Sequence, residues 1–124
     1  MDSSEIKEVI QLYFDASYEG NGEKMDRVFH DAAHIYGHEK DGSFRDQPKR
    51  AFVEHVGSAG QGGQDPGYPR QNEILSIDFT GENTAVARVK LRVRDTLFTD
   101  VLSFMRLDGK WGVIAKVLSG VAIS

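Results

Sequence analysis

The stretch from residue 74 to residue 118 constrains the fold most, because it reads as a run of strands. ILSIDF, TAVARVKLRVR, LFTDVLSFMRL and KWGVIAKVL either alternate apolar and polar residues or run apolar throughout. Three turn signals separate them: Gly81-Glu82-Asn83, Asp95-Thr96 and Asp108-Gly109. Strands joined by connections this short must pair antiparallel, so the C-terminal half is predicted to be a meander.

The N-terminal half is helical instead. Ile6, Val9, Ile10, Tyr13, Phe14 and Ser17 recur at the helical period, Ser3 or Ser4 can cap the start, and Gly20-Asn21-Gly22 stops it. A short second helix carries Met25, Val28 and Phe29 on its inner face, with His30 at its end. AHIYGH is rich in β-branched and aromatic residues and is followed by Asp41-Gly42, which predicts a small strand pair over 32–38 and 43–45. Pro48 suits the first position of a third helix, burying Ala51, Phe52, His55 and Val56. Five glycines and two prolines in GSAGQGGQDPGYPRQN, residues 57–72, predict a mobile loop, either a plain connector or a pocket lid or partner contact. The expected fold class is α+β: three N-terminal helices packed on a strongly curved, mostly antiparallel sheet, in one domain over residues 1–124.

Strand parity sharpens the reading. Ala85, Ala87, Val89, Leu91 and Val93 share one face. If Asp95-Thr96 is a two-residue turn, Val93 lies opposite Phe98, Leu91 opposite Asp100, Val89 opposite Leu102 and Ala87 opposite Phe104. If Asp108-Gly109 is another, Trp111, Val113, Ala115 and Val117 join them. Asp100 is then an acid on an otherwise apolar face. Desolvation there raises its pKa, as a general base or acid near neutral pH requires, unless a tyrosine, serine or backbone N–H satisfies it. A bulge would shift the register by one residue. The opposite face sets Arg88, Lys90, Arg92 and Lys116 among Val86, Val101, Met105, Ile114 and Leu118, a cluster that points to a homodimer through the outer sheet face.

Three of the four histidines, His30, His34 and His38, are spaced four apart. On a strand rising about 3.3 Å per residue, His34 and His38 lie roughly 13 Å apart and cannot share an ion, so no metal site is expected. His34, Tyr36 and His38 do share one strand face. Facing a pocket, they would hydrogen-bond a polar ligand or relay a proton; facing solvent, they would do neither. A net charge of −4 argues against a nucleic-acid binder. The absence of cysteine excludes disulfides and thiolate chemistry. No apolar run is long enough to span a bilayer, and MDSSEIKEVI has no apolar signal region, so a cytoplasmic protein with no membrane partner is expected.

Phe98-x-Asp100-x-Leu102 and Asp108-Gly109-x-Trp111-x-Val113-x-x-Lys116, behind a helix, a Gly-rich break and FHDAAHIYG, resemble the NTF2-like superfamily over essentially the whole chain. Within it the chain is most similar to the small bacterial proteins labelled "putative lumazine-binding", which belong with the SnoaL-like and ketosteroid-isomerase-like proteins. The resemblance implies a cone of helices over a curved sheet with a pocket between. It also implies that Tyr13 matches the first-helix tyrosine with which ketosteroid isomerases hold an oxyanion. The isomerase base falls on Gly37 and the second oxyanion acid at about Ser103, so one of three parts is present. Two functions stand open: a binder of a small hydrophobic or aromatic molecule, or an enzyme performing acid–base chemistry on one, of isomerase, dehydratase or cyclase type. Asp100 and His38 are the candidate catalytic residues. Tyr13, Tyr36, His34, Phe52 and Phe104 are the candidate ligand contacts, and no cofactor is expected.

Overall fold

The computed structural model describes residues 2–58, 60–65 and 67–123. Helices α1 (Ser4–Glu19) and α2 (Gly22–Val28) lead into strands β1 (Phe29–His38) and β2 (Phe44–Pro48). Helix α3 (Lys49–Val56) follows, and then strands β3 (Asn72–Phe79), β4 (Thr84–Val93), β5 (Thr96–Leu107) and β6 (Lys110–Ala122). The six strands form one sheet in the order β2-β1-β6-β5-β4-β3. Every neighbouring pair is antiparallel except β1 and β6. This is the expected α+β layout with a mostly antiparallel sheet.

Each helix end has a local cause. Ser3 stands at the start of α1 without a side-chain cap, and the Asp2 carboxylate accepts from Ser4 N–H at 2.9 Å in its place. Gly20 closes α1 in the left-handed region at φ 66°, where a side chain would be strained. Asn21 caps α2 by accepting from Lys24 N–H at 3.0 Å. Pro48 precedes α3 rather than opening it, since its extended ψ of 153° still belongs to β2. The buried face of α3 is Lys49, Phe52 and Val56, while His55, expected inside, is exposed.

The helices cover the sheet face that carries Ala85, Ala87, Val89 and Leu91 from β4 and Leu102 and Phe104 from β5, all at most 4% exposed. Two details of register differ from expectation. The β4–β5 turn is Arg94-Asp95, with Arg94 left-handed at φ 56°, so Val93 opposes Thr96. Leu91 therefore faces Phe98, Val89 faces Asp100, Ala87 faces Leu102 and Ala85 faces Phe104. The displacement is two residues, an even number, so every side chain keeps its face. The second difference changes faces. Phe104 pairs with Val113 but Ser103 pairs with Ala115, leaving Ile114 as the extra residue of a bulge in β6. Beyond it Lys116 and Leu118 turn inward, and Ala115 and Val117, expected inside, turn outward. Lys116 is 4% exposed and Val117 50%.

Several described residues between α3 and β3 are tied to the end of α1. The Tyr18 hydroxyl donates to Tyr68 O at 2.8 Å, and Gln64 N–H donates to Tyr18 O at 2.9 Å. Gly62 lies so close to the end of α1 that a Cβ would come within 2.6 Å of Gly20 N. His30 sits in β1, not at a helix end, and its Nε2 donates to Met105 O at 2.8 Å. Among the described residues, no helix is long and apolar enough to cross a membrane.

Candidate functional site

A cavity of about 110 Å³ opens between the helices and the concave sheet face. Helix α1 contributes Tyr13 and Ser17, one turn apart, and α3 contributes Phe52, His55 and Val56. Val93 and Phe98 come from the β4–β5 hairpin, Lys116 and Leu118 from β6 past its bulge, and Arg45 from β2. Gln61, from the tied-down loop, closes the rim.

The polar centre of this region is a buried chain of three groups. Asp100 is wholly buried on β5, and the Tyr13 hydroxyl donates to its Oδ2. Lys116 Nζ stands 4.0 Å from the same oxygen. It lies 4.2 Å from the Phe52 ring centroid and 4.8 Å from that of Tyr13, so two aromatic faces share its charge. Asp100 Oδ1 has no hydrogen-bond partner among the described residues. Tyr13 and Lys116 form cavity wall, and Asp100 stands behind them.

The electrostatics follow from burial. Desolvation pushes the Asp100 carboxyl up, against the Lys116 charge and the Tyr13 bond, which pull it down. Desolvation also pushes Lys116 down to about 8, opposed by Asp100 and reinforced by Arg45. Tyr13 is pushed well above the usual phenol range, first by burial and then by the Asp100 charge. Burial thus works against the charged form of all three groups, and the Lys116 amine, at about 8, is mostly protonated at pH 7. Arg45, half-buried at the cavity edge, donates to the Gln47 side chain, and no carboxylate pairs with it among the described residues.

Of the residues singled out in the sequence, Tyr13 and Phe52 line the cavity and Asp100 bonds to Tyr13. Phe104 lies in the core, 1% exposed, away from the cavity. His34, Tyr36 and His38 occupy the other face of β1, because Ala33, Ile35 and Gly37 take the buried positions. There the His34 ring stacks on Tyr36 and Tyr36 stacks on Phe44, while His34 Nδ1 approaches Asp46 Oδ1 at 2.6 Å. His38 is exposed. None of the three, His38 the candidate base among them, lines the cavity. No three His, Asp or Glu side chains converge among the described residues. At Gly37, where the resemblance puts the isomerase base, a Cβ would lie 3.0 Å from Leu118 Cδ1, so the site has little room for a carboxylate. Sequence reasoning missed Lys116, Arg45, Ser17 and Leu118. The available signal for Lys116 was a lone cation inside the apolar run VIAKVL.

The model of the family described as "Putative lumazine-binding" matches residues 1–119. No curated protein matches the chain in sequence. Among solved structures, an NTF2-like protein of unknown function from Methylobacillus flagellatus KT is 31% identical, with a TM-score of 0.80 over 96% of this chain and 91% of that one. An NTF2-like protein of unknown function from Shewanella baltica OS155 superposes with a TM-score of 0.85 at 22% identity, over 95% of this chain and 92% of that one. A ketosteroid isomerase-like protein from Erwinia carotovora atroseptica SCRI1043 shares the fold, with a TM-score of 0.74 at 13% identity over 96% and 95% of the two chains.

Proposed function

The chain belongs to the family described as "Putative lumazine-binding", and on that footing we propose that it binds a small, largely apolar or aromatic molecule in the cavity between Tyr13, Phe52, Leu118 and Lys116. The observation that carries this reading is an apolar cavity with a desolvated Tyr13–Asp100–Lys116 chain at its wall. Apolar walls with a few fixed polar groups are what ligand sites share. At about 110 Å³ the cavity is somewhat smaller than the roughly 150 Å³ that holds one benzene ring. A monocyclic ligand fits with slight widening, whereas a bicyclic lumazine needs a larger cavity. The test is an NMR titration with p-cresol, with benzoate and with lumazine. Shifts confined to Phe52, Val56, Phe98 and Leu118 support the reading, and no saturable shift up to millimolar concentration refutes it.

One observation favours a second, enzymatic reading: an amine with a pKa of about 8 at a cavity wall, beside a carboxylate, is equipped for proton transfer near neutral pH. The acid–base group facing a substrate would be Lys116, with Asp100 acting through it. Deuterium exchange from D2O into an enolisable monocyclic ketone, abolished by Lys116→Met, would support it.

The proposal includes a cytoplasmic homodimer. Val101 and Val117 face each other across β5 and β6 on the outer sheet face, as do Leu97 and Val121. Val101, Val117 and Val121 are 38%, 50% and 67% exposed. An apolar stripe on a sheet face is best covered by a second copy of itself.

A further inference from the structure

We propose that the molecule taken by this cavity is an anion of the monocyclic aromatic carboxylate class, with Arg45 and Lys116 receiving its carboxylate and Phe52, Phe98 and Leu118 holding its ring. The inference rests on the small-molecule-binding reading and narrows it to one ligand class.

The charges around the cavity do not balance. Two cations, Arg45 and Lys116, line a cavity whose other walls are mostly apolar. One carboxylate, Asp100, stands behind it, already bonded to Tyr13 and facing Lys116. Two cations against at most one negative charge leave an excess positive charge directed at the cavity. Among the described residues no carboxylate forms an ion pair with Arg45, and none but Asp100 does so with Lys116. A neutral ligand would displace water from Arg45 and Lys116 and return nothing to their charges, which is costly. A carboxylate returns a charge-assisted bond to each, and the planar guanidinium of Arg45 suits its two oxygens.

The polarity also has a geometric side. Lys116 enters from β6 and Arg45 from β2, at the edge of the sheet, while Phe98 and Val93 come from the β4–β5 hairpin. Strand β1 separates β2 from β6, and β5 lies beyond β6. Arg45 thus sits toward the β2 side of the cavity and the hairpin's apolar residues toward the other, with Lys116 on β6 between them. A ligand with an apolar ring and one anionic substituent matches that division.

The experiment compares benzoate with benzyl alcohol, two ligands of nearly equal ring and length that differ in charge. Both are titrated into the wild-type chain and into Arg45→Gln at low salt, followed by NMR, with the wild-type spectral fingerprint as the check that the variant folds. Arg45 lies on the edge strand and is only half-buried, so the substitution leaves the core intact. The expected result is benzoate binding at least about tenfold tighter than benzyl alcohol, the effect of one charge-assisted bond, with most of that preference lost in R45Q. Equal binding, or preference for benzyl alcohol, overturns the charge inference while leaving the binding reading in place. A benzoate preference that survives unchanged in R45Q overturns the role of Arg45. If neither ligand binds at millimolar concentration, the binding reading fails, and this inference fails with it.

Discussion

Replacing Asp100 with asparagine should destabilise the protein more at pH 7 than at pH 9, and the difference can be worked out from the geometry. The Asp100 carboxylate stands 4.0 Å from Lys116 Nζ. At an effective dielectric constant near 20, that separation is worth about 4 kcal/mol of attraction, or about 3 pKa units. Lys116 titrates at about 8 with the carboxylate present, so without it the amine falls well below 8 and is neutral at pH 7. The wild type at pH 7 holds a proton on Lys116 that the variant releases, and this proton is worth roughly 1–2 kcal/mol at one unit below the pKa. At pH 9 the wild-type amine is itself mostly neutral, and that part of the cost vanishes. The rest, a charge-assisted Tyr13 bond exchanged for a neutral one, is on the order of 1 kcal/mol and is present at both pH values. Urea unfolding of both proteins at pH 7 and pH 9, at fixed protein concentration, measures the difference. An Asp100→Asn cost that is the same at both pH values, or larger at pH 9, would refute the coupling. So would a pH-dependent cost that persists in a Lys116→Met background.

The same groups predict the wild-type pH profile. Lys116 has a folded pKa of about 8, against 10.5 for an unperturbed lysine, so the unfolded chain binds more protons between those values and the urea midpoint should rise with pH across them. Above about pH 10 the unfolded chain loses its Tyr13 proton first, because the folded pKa lies higher, and stability should fall again; in Lys116→Met the rise should be missing. Val117→Glu would set a charge in the outer stripe and should convert a dimer to monomer in sedimentation, and a wild-type monomer at micromolar concentration would end that proposal. Gly62→Ala should cost roughly 1–3 kcal/mol and raise amide exchange over residues 60–65, because its Cβ meets Gly20 N at 2.6 Å and backbone cannot swing aside as a side chain can.

What the sequence revealed and what it hid divide along a physical line. The period-two pattern of β4 was readable because Arg88, Lys90 and Arg92 alternate with Ala87, Val89 and Leu91, and only one assignment buries the apolar set. The misplaced β4–β5 turn did no harm, since a two-residue slip preserves every face. That is why Asp100 could be assigned to the inner face of β5 from sequence, while its partner was left as a tyrosine, a serine or a backbone N–H. The N-terminal strand gave less. HIYGH has polar or aromatic side chains at 34, 36 and 38 and apolar or missing ones at 35 and 37, and parity alone groups the histidines without saying which side is inside. The answer comes from Gly37, whose bare backbone accepts the Leu118 side chain in contact.

The bulge was hidden for a deeper reason. From Val113 to Leu118 the sequence VIAKVL is apolar in both parities, with Lys116 as its one charge. In a regular strand Val113, Ala115 and Val117 go inside and Lys116 goes to water. With Ile114 bulged, Val113, Lys116 and Leu118 go inside, and Ala115 and Val117 go out. Either arrangement buries similar apolar area, so hydrophobic patterning does not choose between them. The choice falls to what waits at the far end of the lysine. Outside, Lys116 would have water; inside, it meets the Asp100 carboxylate at 4.0 Å and the faces of Tyr13 and Phe52. Asp100 itself selects the bulge, since a buried carboxylate with one oxygen bound to Tyr13 and the other unpartnered is stabilised by a cation brought to it. An acid placed by parity on an apolar face is thus a reason to seek its cation on the neighbouring strand, and a lone lysine in an apolar run is where to look.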